Sequence, residues 1–302
     1  MKRSKNTILL IALIILLGGF VLSRVFRSPS LESNLDEHLL TVDTASISAI
    51  HINPASAKGE IKLVRSGKNW EMQFNQSTSR VEIAQVKNAL KSIREIHPER
   101  LVTRKKQKWQ DYNVDTTGTH VKVYIGQNDP TEFWVGKTSG GGTTVRLEGE
   151  DNVYEVKESL ESSFNKPFSS WRDKSFLRVN PDAISKVTFE YPADSSFVLE
   201  KTGAKWIIGN SAADSTKVRT YLNRFRSQNL SEFKDDFTAP ASPVWVVTLF
   251  QDATKSLELR GWREENDKWV VSSSLQPGVF FSSDNKSLMN NLFAGKESFI
   301  GK

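Results

Sequence analysis

The residues best suited to hold a metal ion or to act as general bases are the four histidines, His38, His51, His97 and His120. They are far apart in the sequence, and we interpret none of them as standing at ligand spacing from a second histidine or a carboxylate. The chain has no cysteine, which excludes thiolate metal sites, a cysteine nucleophile and disulfide bonds. The sequence therefore predicts no metal site and no cofactor; a metal site assembled from distant residues is the alternative.

A phosphate-binding loop is suggested by Gly136-Lys137-Thr138, which resembles the end of that motif. Position 131, however, is Thr where the motif needs its first Gly, and the triplet follows a predicted strand without opening a helix. A hairpin is the better interpretation. The sequence also has no nucleophile elbow and no carboxylate pair in a recognisable context. We therefore expect no catalytic residues and predict that the protein is not an enzyme.

The charge is concentrated at the N-terminus. The formal net charge is +6, and residues 1–27 contribute +5 of it through five Lys and Arg without any Asp or Glu. The rest of the chain is close to neutral, which argues against a nucleic-acid partner. One basic run, Arg104 to Trp109, is interpreted as a solvated loop; contact with anionic lipid or an acidic partner is the alternative.

Tryptophan is abundant, with eight residues in 302. Trp70 and Trp206 occupy equivalent places after a strand turn, and we expect both in hydrophobic cores. Trp109, Trp171 and Trp262 are less constrained by the pattern and are the candidates for a contact surface, because exposed indole rings can stack on flat ligands such as sugars.

Residues 8–22 form an uninterrupted apolar run between Lys5 and Arg24. This pattern predicts a membrane anchor over residues 1–29, with residues 7–26 in contact with the bilayer. The alternative is a cleaved signal peptide. The anchor predicts a single-pass protein of the bacterial inner membrane, with its N-terminus inside and its body outside the cytoplasm.

The body reads as a duplication. Ile61-Lys-Leu63-Val64, followed by Arg65, Gly67 and Trp70, corresponds to Phe197-Val-Leu199-Glu200, followed by Lys201, Gly203 and Trp206. We predict a first repeat unit over 30–165, a linker over 166–180 and a second unit over 181–302. The predicted class is α+β, with an N-terminal transmembrane helix and two mainly antiparallel β units.

Each unit is expected to carry one amphipathic helix. Ser79-x-x-Glu82 reads as a capping box before an apolar stripe at helical spacing, and Ser211-x-x-Asp214 stands at the equivalent place in the second unit.

Four short motifs, in this order, resemble the bacterial DUF4340 family, a domain of unknown function. They are Trp109-x-x-Tyr112-x-Val114, Val135-Gly136-Lys137, Val153-Tyr154-x-Val156 and Trp171-Arg172-Asp173-Lys174. The resemblance implies a membrane-anchored protein, often encoded beside ABC-transporter components similar to those of gliding-motility systems. It implies no reaction and no catalytic residue. Asp173, between two cations, is interpreted as part of a structural ion pair that ties the two copies together, with a binding site as the alternative.

Two functions follow as expectations. The first is a non-catalytic accessory protein that presents its duplicated body to protein partners, with ABC-transporter components suspected. The alternative is an envelope glycan-binding module, for which the three unconstrained tryptophans are the only support.

Overall fold

The protein is described here from a computed structural model covering residues 35–74, 77–242, 244–264 and 268–300. The described residues divide into two compact units, and the boundary lies between Trp171 and Arg172. The boundary falls inside the segment 166–180 that was interpreted as a linker.

The first unit is built on a nine-stranded sheet in the order β5-β4-β3-β2-β8-β9-β10-β11-β7, and each neighbouring pair is antiparallel. Its strands are β2 (Ile47–Asn53), β3 (Ile61–Ser66), β4 (Asn69–Phe74), β5 (Ser77–Arg80), β7 (Pro98–Thr103), β8 (Thr119–Ile125), β9 (Thr131–Ser139), β10 (Gly142–Leu147) and β11 (Val153–Val156). A separate antiparallel pair joins β1 (Leu40–Thr41) to β6 (Glu95–Ile96). The helices are α1 (Ile83–Ile93), α2 (Leu160–Phe164) and α3 (Phe168–Trp171).

Along the strands of this unit, side chains that point into the core alternate with side chains that point to the outer face. In β8, Val121 and Val123 are buried, whereas His120 and Lys122 between them point to the other side. Helix α1 covers the apolar side with Val86, Ala89 and Ile93, which are all buried. The sheet therefore has one covered face and one face of polar and aromatic residues.

The second unit has an eight-stranded antiparallel sheet, β16-β15-β14-β13-β18-β19-β20-β21, which repeats the order of the first eight strands and has no strand in the place of β7. Its strands are β13 (Lys186–Glu190), β14 (Phe197–Thr202), β15 (Lys205–Ile208), β16 (Ser211–Ala212), β18 (Trp245–Gln251), β19 (Thr254–Arg263), β20 (Trp269–Ser273) and β21 (Phe281–Ser283). A two-stranded pair joins β12 (Ser175–Leu177) to β17 (Gln228–Asn229), and the helices are α4 (Ser215–Asn223) and α5 (Lys286–Leu292).

The predicted α+β class is wrong. The protein consists mostly of two large antiparallel sheets with few helices. The expectation of one helix per unit is also wrong, because α2, α3 and α5 were not anticipated. These helices are four to seven residues long, so each supplies too few apolar positions for a helical period to be recognised.

The predicted transmembrane helix is not found either. Among the described residues no helix combines the length and the apolar character needed to cross a bilayer. The segment 1–29, on which the prediction was made, lies outside the described residues.

The capping boxes also differ from expectation. Ser79 lies in β5 and Ser211 lies in β16, so both residues belong to strands that precede the helices. Helix α4 is capped by Asp214 itself, whose carboxylate accepts hydrogen bonds from the backbone N–H of Thr216 and Lys217. Glu82, at the N-cap of α1, makes no side-chain capping hydrogen bond.

Candidate functional site

Trp109 is a fixed part of the first unit. The Arg146 guanidinium carbon lies 3.8 Å from the centre of its ring, and its Nε1 donates to the Asp151 carbonyl at 3.1 Å. Arg146 is buried, with only 3% of its surface exposed, and its Nε donates to the Val114 carbonyl at 2.9 Å. The indole therefore anchors the loop that precedes β8, while residues 104–108 of the basic run are exposed.

The other two contact candidates are buried. Trp171 has no exposed surface and belongs to the core of the first unit. Trp262 is 5% exposed, and its ring packs against Phe237 and Phe280 in the second unit. With 0% and 5% of their surface exposed, neither residue presents a ring face on which a sugar could stack.

The Trp171-Arg172-Asp173-Lys174 element has a local structural role. Arg172 Nη1 donates to both carboxylate oxygens of Asp235, at 2.8 and 2.7 Å, and its guanidinium lies 3.6 Å from the centre of the Phe233 ring. Asp173 accepts a hydrogen bond from the backbone N–H of Ser175 at 2.9 Å. Arg172, and not Asp173, therefore carries the ion pair, and its partner lies in the same unit.

Gly136 marks a close approach of two backbone segments. It lies in β9, and a Cβ atom at this position would be 2.0 Å from the Tyr112 carbonyl oxygen and 2.4 Å from Thr144 Oγ1. The same carbonyl accepts a hydrogen bond from Thr144 Oγ1 at 3.0 Å. Gly136 thus lets the loop containing Tyr112 reach the sheet, and Gly136-Lys137-Thr138 has the strand geometry of a hairpin, not that of a phosphate cradle.

The uncovered side of the first sheet carries a row of polar and aromatic side chains, which we call the polar face. It comprises His51, Lys62, His120, Lys122, Glu132 and Trp134. Glu132 lies 3.0 Å from both Lys122 Nζ and His120 Nε2. The His120 ring stacks on Trp134, with ring centres 4.1 Å apart. The face therefore combines one close carboxylate–ammonium pair, Glu132 with Lys122, with imidazole and indole rings across four strands.

The ionisation of this face follows from its partial burial. Burial lowers the pKa of His51, with Glu60 opposing and Lys62 and Lys122 reinforcing the shift. Burial likewise lowers the pKa of His120, against the opposing charge of Glu132. A hydrogen bond to Glu132 raises the pKa of Lys122. Both imidazoles are therefore neutral near pH 7, and Lys122 remains charged.

A second group of titratable residues, which we call the histidine cluster, consists of His38, Glu95 and His97. One ligand atom from each lies within 4.8 Å of the other two, and the two imidazole centres are 4.8 Å apart. Leu39 N–H donates to the Ile96 carbonyl at 2.8 Å, so the β1–β6 pairing brings the three residues together. Within the described chain, these are the residues with the donor set for a metal ion.

This cluster was not predicted from the sequence. Glu95 and His97 are two residues apart in an extended segment, which is ligand spacing on a strand, so the statement that no histidine stands at such spacing was wrong for His97. His38 is brought in by long-range strand pairing, which no local pattern reveals.

The second unit contains a cleft of about 290 Å³ between α4 and α5. Two cations line it, Lys217 and Arg224. Each already donates to a backbone carbonyl, Lys217 to Ile300 at 2.7 Å and Arg224 to Asn291 at 3.2 Å. Both side chains thus help to hold the C-terminal segment and α5 against α4.

Comparison with known proteins gives one positive result. No curated protein and no solved structure matches the chain. The family model described as a domain of unknown function (DUF4340) matches residues 79–244, which is more than half of the 302 residues. All four motifs that indicated this resemblance lie inside the matched range. The resemblance is thereby confirmed, and the chain belongs to the DUF4340 family.

Proposed function

We propose that this protein is a non-enzymatic accessory protein of the bacterial envelope that binds protein partners, ABC-transporter components among them, through the polar face of its first unit. The observation that carries the proposal is the fixed placement of charge on that face, where Glu132 pairs with Lys122 beside the stacked rings of His120 and Trp134. Charges held at fixed positions give register and selectivity in a protein interface, because a mismatched partner would place like charges together.

Several properties of the face suit a protein partner. Its aromatic members are held rigidly, with His120 stacked on Trp134, so little conformational entropy is lost on binding. Lys62 retains 43% of its side-chain surface and supplies an exposed charge at one side of the row. The mixed signs do not form the continuous positive stripe that a nucleic acid requires.

Location is part of the same proposal. We place the two units outside the cytoplasm at the inner membrane, with membrane contact through residues 7–26 as the apolar sequence of that segment predicts. The partners suggested by the family resemblance, ABC-transporter components, work at that membrane.

Because the natural chain has no cysteine, a single engineered cysteine can carry a photo-crosslinker at one defined position. Gln73 is exposed and lies in register with Lys62, beside the polar face. Gln73→Cys, labelled with a benzophenone maleimide and illuminated in native membranes, is expected to capture an ABC-transporter subunit identified by mass spectrometry.

The matched control is Lys68→Cys, which is also an exposed position and lies in the turn between β3 and β4 of the same unit. It should capture much less of the same subunit. Equal capture at the two positions, or no protein product at position 73, would contradict the proposal.

The same variants test location. A membrane-impermeant maleimide should label Gln73→Cys in intact spheroplasts, and labelling only after lysis would place the unit inside the cytoplasm. No described observation favours the glycan-binding alternative, since Trp171 and Trp262 are buried and Trp109 is covered by Arg146.

A further inference from the structure

We propose that the histidine cluster, His38, Glu95 and His97, binds a divalent transition-metal ion, and that the ion is Zn²⁺. The site is independent of the polar face, because it is built on the β1–β6 pair and not on the large sheet.

The first support is the convergence of three ligands from two distant segments of the chain, His38 from one and Glu95 with His97 from the other. In a tetrahedral zinc site with bonds of about 2.0–2.2 Å, ligand atoms are separated by roughly 3.3–3.6 Å. The three candidate atoms already lie within 4.8 Å of one another. His38 is exposed and the Glu95 side chain retains 43% of its surface, so side-chain rotation alone can close the remaining distance.

The second support is the way Glu158 holds His97. Its carboxylate accepts from the His97 backbone N–H at 3.0 Å and lies 2.8 Å from His97 Nδ1. The Glu158 side chain is only 16% exposed. Because a carboxylate accepts hydrogen bonds, Nδ1 carries the proton of the neutral ring and Nε2 keeps its lone pair. This is the arrangement by which metal-binding histidines are oriented through a second carboxylate.

The third support is the rigidity of the backbone on which the ligands stand. Thr41 pairs with Glu95 and Leu40 pairs with Ile96 in the β1–β6 ladder. Ile96 is fully buried, whereas its neighbours Glu95 and His97 are partly exposed, so alternation directs both of them away from the core. His38 precedes the paired strand by two residues and is held close to its end.

The donor set selects the metal. Two imidazole nitrogens and one carboxylate suit Zn²⁺, with water completing four-coordination. Ca²⁺ and Mg²⁺ prefer sites made only of oxygen ligands, so neither ion should compete at equal concentration. The bound ion would tie the start of the first unit to the segment that follows α1.

The test uses the full-length chain purified in mild detergent without a histidine tag and stripped with chelator. Equilibrium dialysis against buffered Zn²⁺ at pH 7.5 should give one zinc ion per chain, and thermal unfolding should shift upwards by about 5–10 °C at ~100 times the Kd. Ten-fold excess Mg²⁺ or Ca²⁺ should leave the binding unchanged.

His38→Ala is the decisive variant, since an exposed side chain is removed without affecting a core. It should weaken zinc binding at least ten-fold, and Glu158→Gln should weaken it about 10- to 100-fold by releasing the His97 ring. His51→Ala is the matched control, because it removes a histidine of the same unit outside the cluster. It should bind zinc as the natural chain does.

Two results would overturn the proposal. The first is the absence of stoichiometric zinc in the natural chain at micromolar free Zn²⁺. The second is unchanged zinc binding by His38→Ala. It would mean that His38 is not a ligand and that His97 only makes a hydrogen bond to Glu158.

Discussion

Gly136 shows how one missing side chain permits a tertiary contact. Gly136→Ala would place a Cβ atom 2.0 Å from the Tyr112 carbonyl oxygen, a separation that requires the loop or the strand to move. We expect the first unit to lose about 1–3 kcal/mol of its free energy of unfolding. Urea denaturation measures the loss. Gly295→Ala is the control, because its Cβ meets nothing within 4 Å, and an equal loss there would contradict this explanation.

The imidazoles of the polar face make stability depend on pH. Burial lowers the pKa of His51 and His120 in the folded state, so the unfolded chain binds protons first as the pH falls. The free energy of unfolding should therefore decrease as the pH falls from 7.5 through the unfolded pKa of about 6.5.

The measurement is urea denaturation at pH 7.5 and 5.5, with chelator present to keep metal ions out. The double variant His51→Gln, His120→Gln should show a shallower loss over this interval. An undiminished slope in that variant would assign the pH dependence to other groups.

At the scale of elements, the strand–turn–strand motif could be predicted from the sequence because its residues are close together in the chain. Gly67 and Gly203, matched by constant offset, both adopt positive φ, 62° and 61°, in the turns between their strands. Arg65 pairs with Trp70, and Lys201 pairs with Trp206 across the same turns. In both units the cation and the tryptophan are five residues apart, with the glycine of the turn between them. This spacing can be recognised from the sequence alone, and it indicates a cross-strand pair.

The first residues of the helices were harder to predict from the sequence. A Ser-x-x-Glu spacing does not show whether the serine caps the helix or belongs to a preceding strand. Ser79 pairs with Met72 in the sheet, so it cannot cap α1. The short helices α2 and α5 pack through only two buried residues each, for example Leu160 and Phe164 in α2. Tertiary packing specifies these elements more than periodicity does.

Capping yields a prediction with an internal control. Asp214→Ala removes the acceptor for the Thr216 and Lys217 N–H groups, at 2.8 and 3.1 Å, and should cost the second unit about 1 kcal/mol. Glu82→Ala, at the N-cap of α1, removes no capping bond and should change stability by less than ~0.5 kcal/mol. Urea midpoints measure both, and a larger effect at Glu82 would contradict this assignment of the caps.

At the scale of the whole molecule, the histidine cluster shows where a single sequence stops being informative. Glu95 and His97 are near neighbours, but His38 joins them only because β1 pairs with β6 beyond α1. Which distant strands pair depends on how the hydrophobic faces of the intervening strands pack together. Trp171 and Trp262 are buried because of how their units pack. The type and spacing of these residues in the sequence did not indicate this burial.

Each unit has its own hydrophobic core, one formed by residues of the range 42–171 and one by residues of the range 176–299. Leu63 and Leu199 are equivalent positions of the duplication, and neither has any exposed surface. Replacing either with Ala should cost its own unit about 2–5 kcal/mol through lost burial and a cavity.

Separate cores predict that calorimetry of the full chain resolves two transitions. Leu63→Ala should then lower only one of them, and Leu199→Ala only the other. A single transition displaced equally by both variants would mean that the units unfold as one cooperative body.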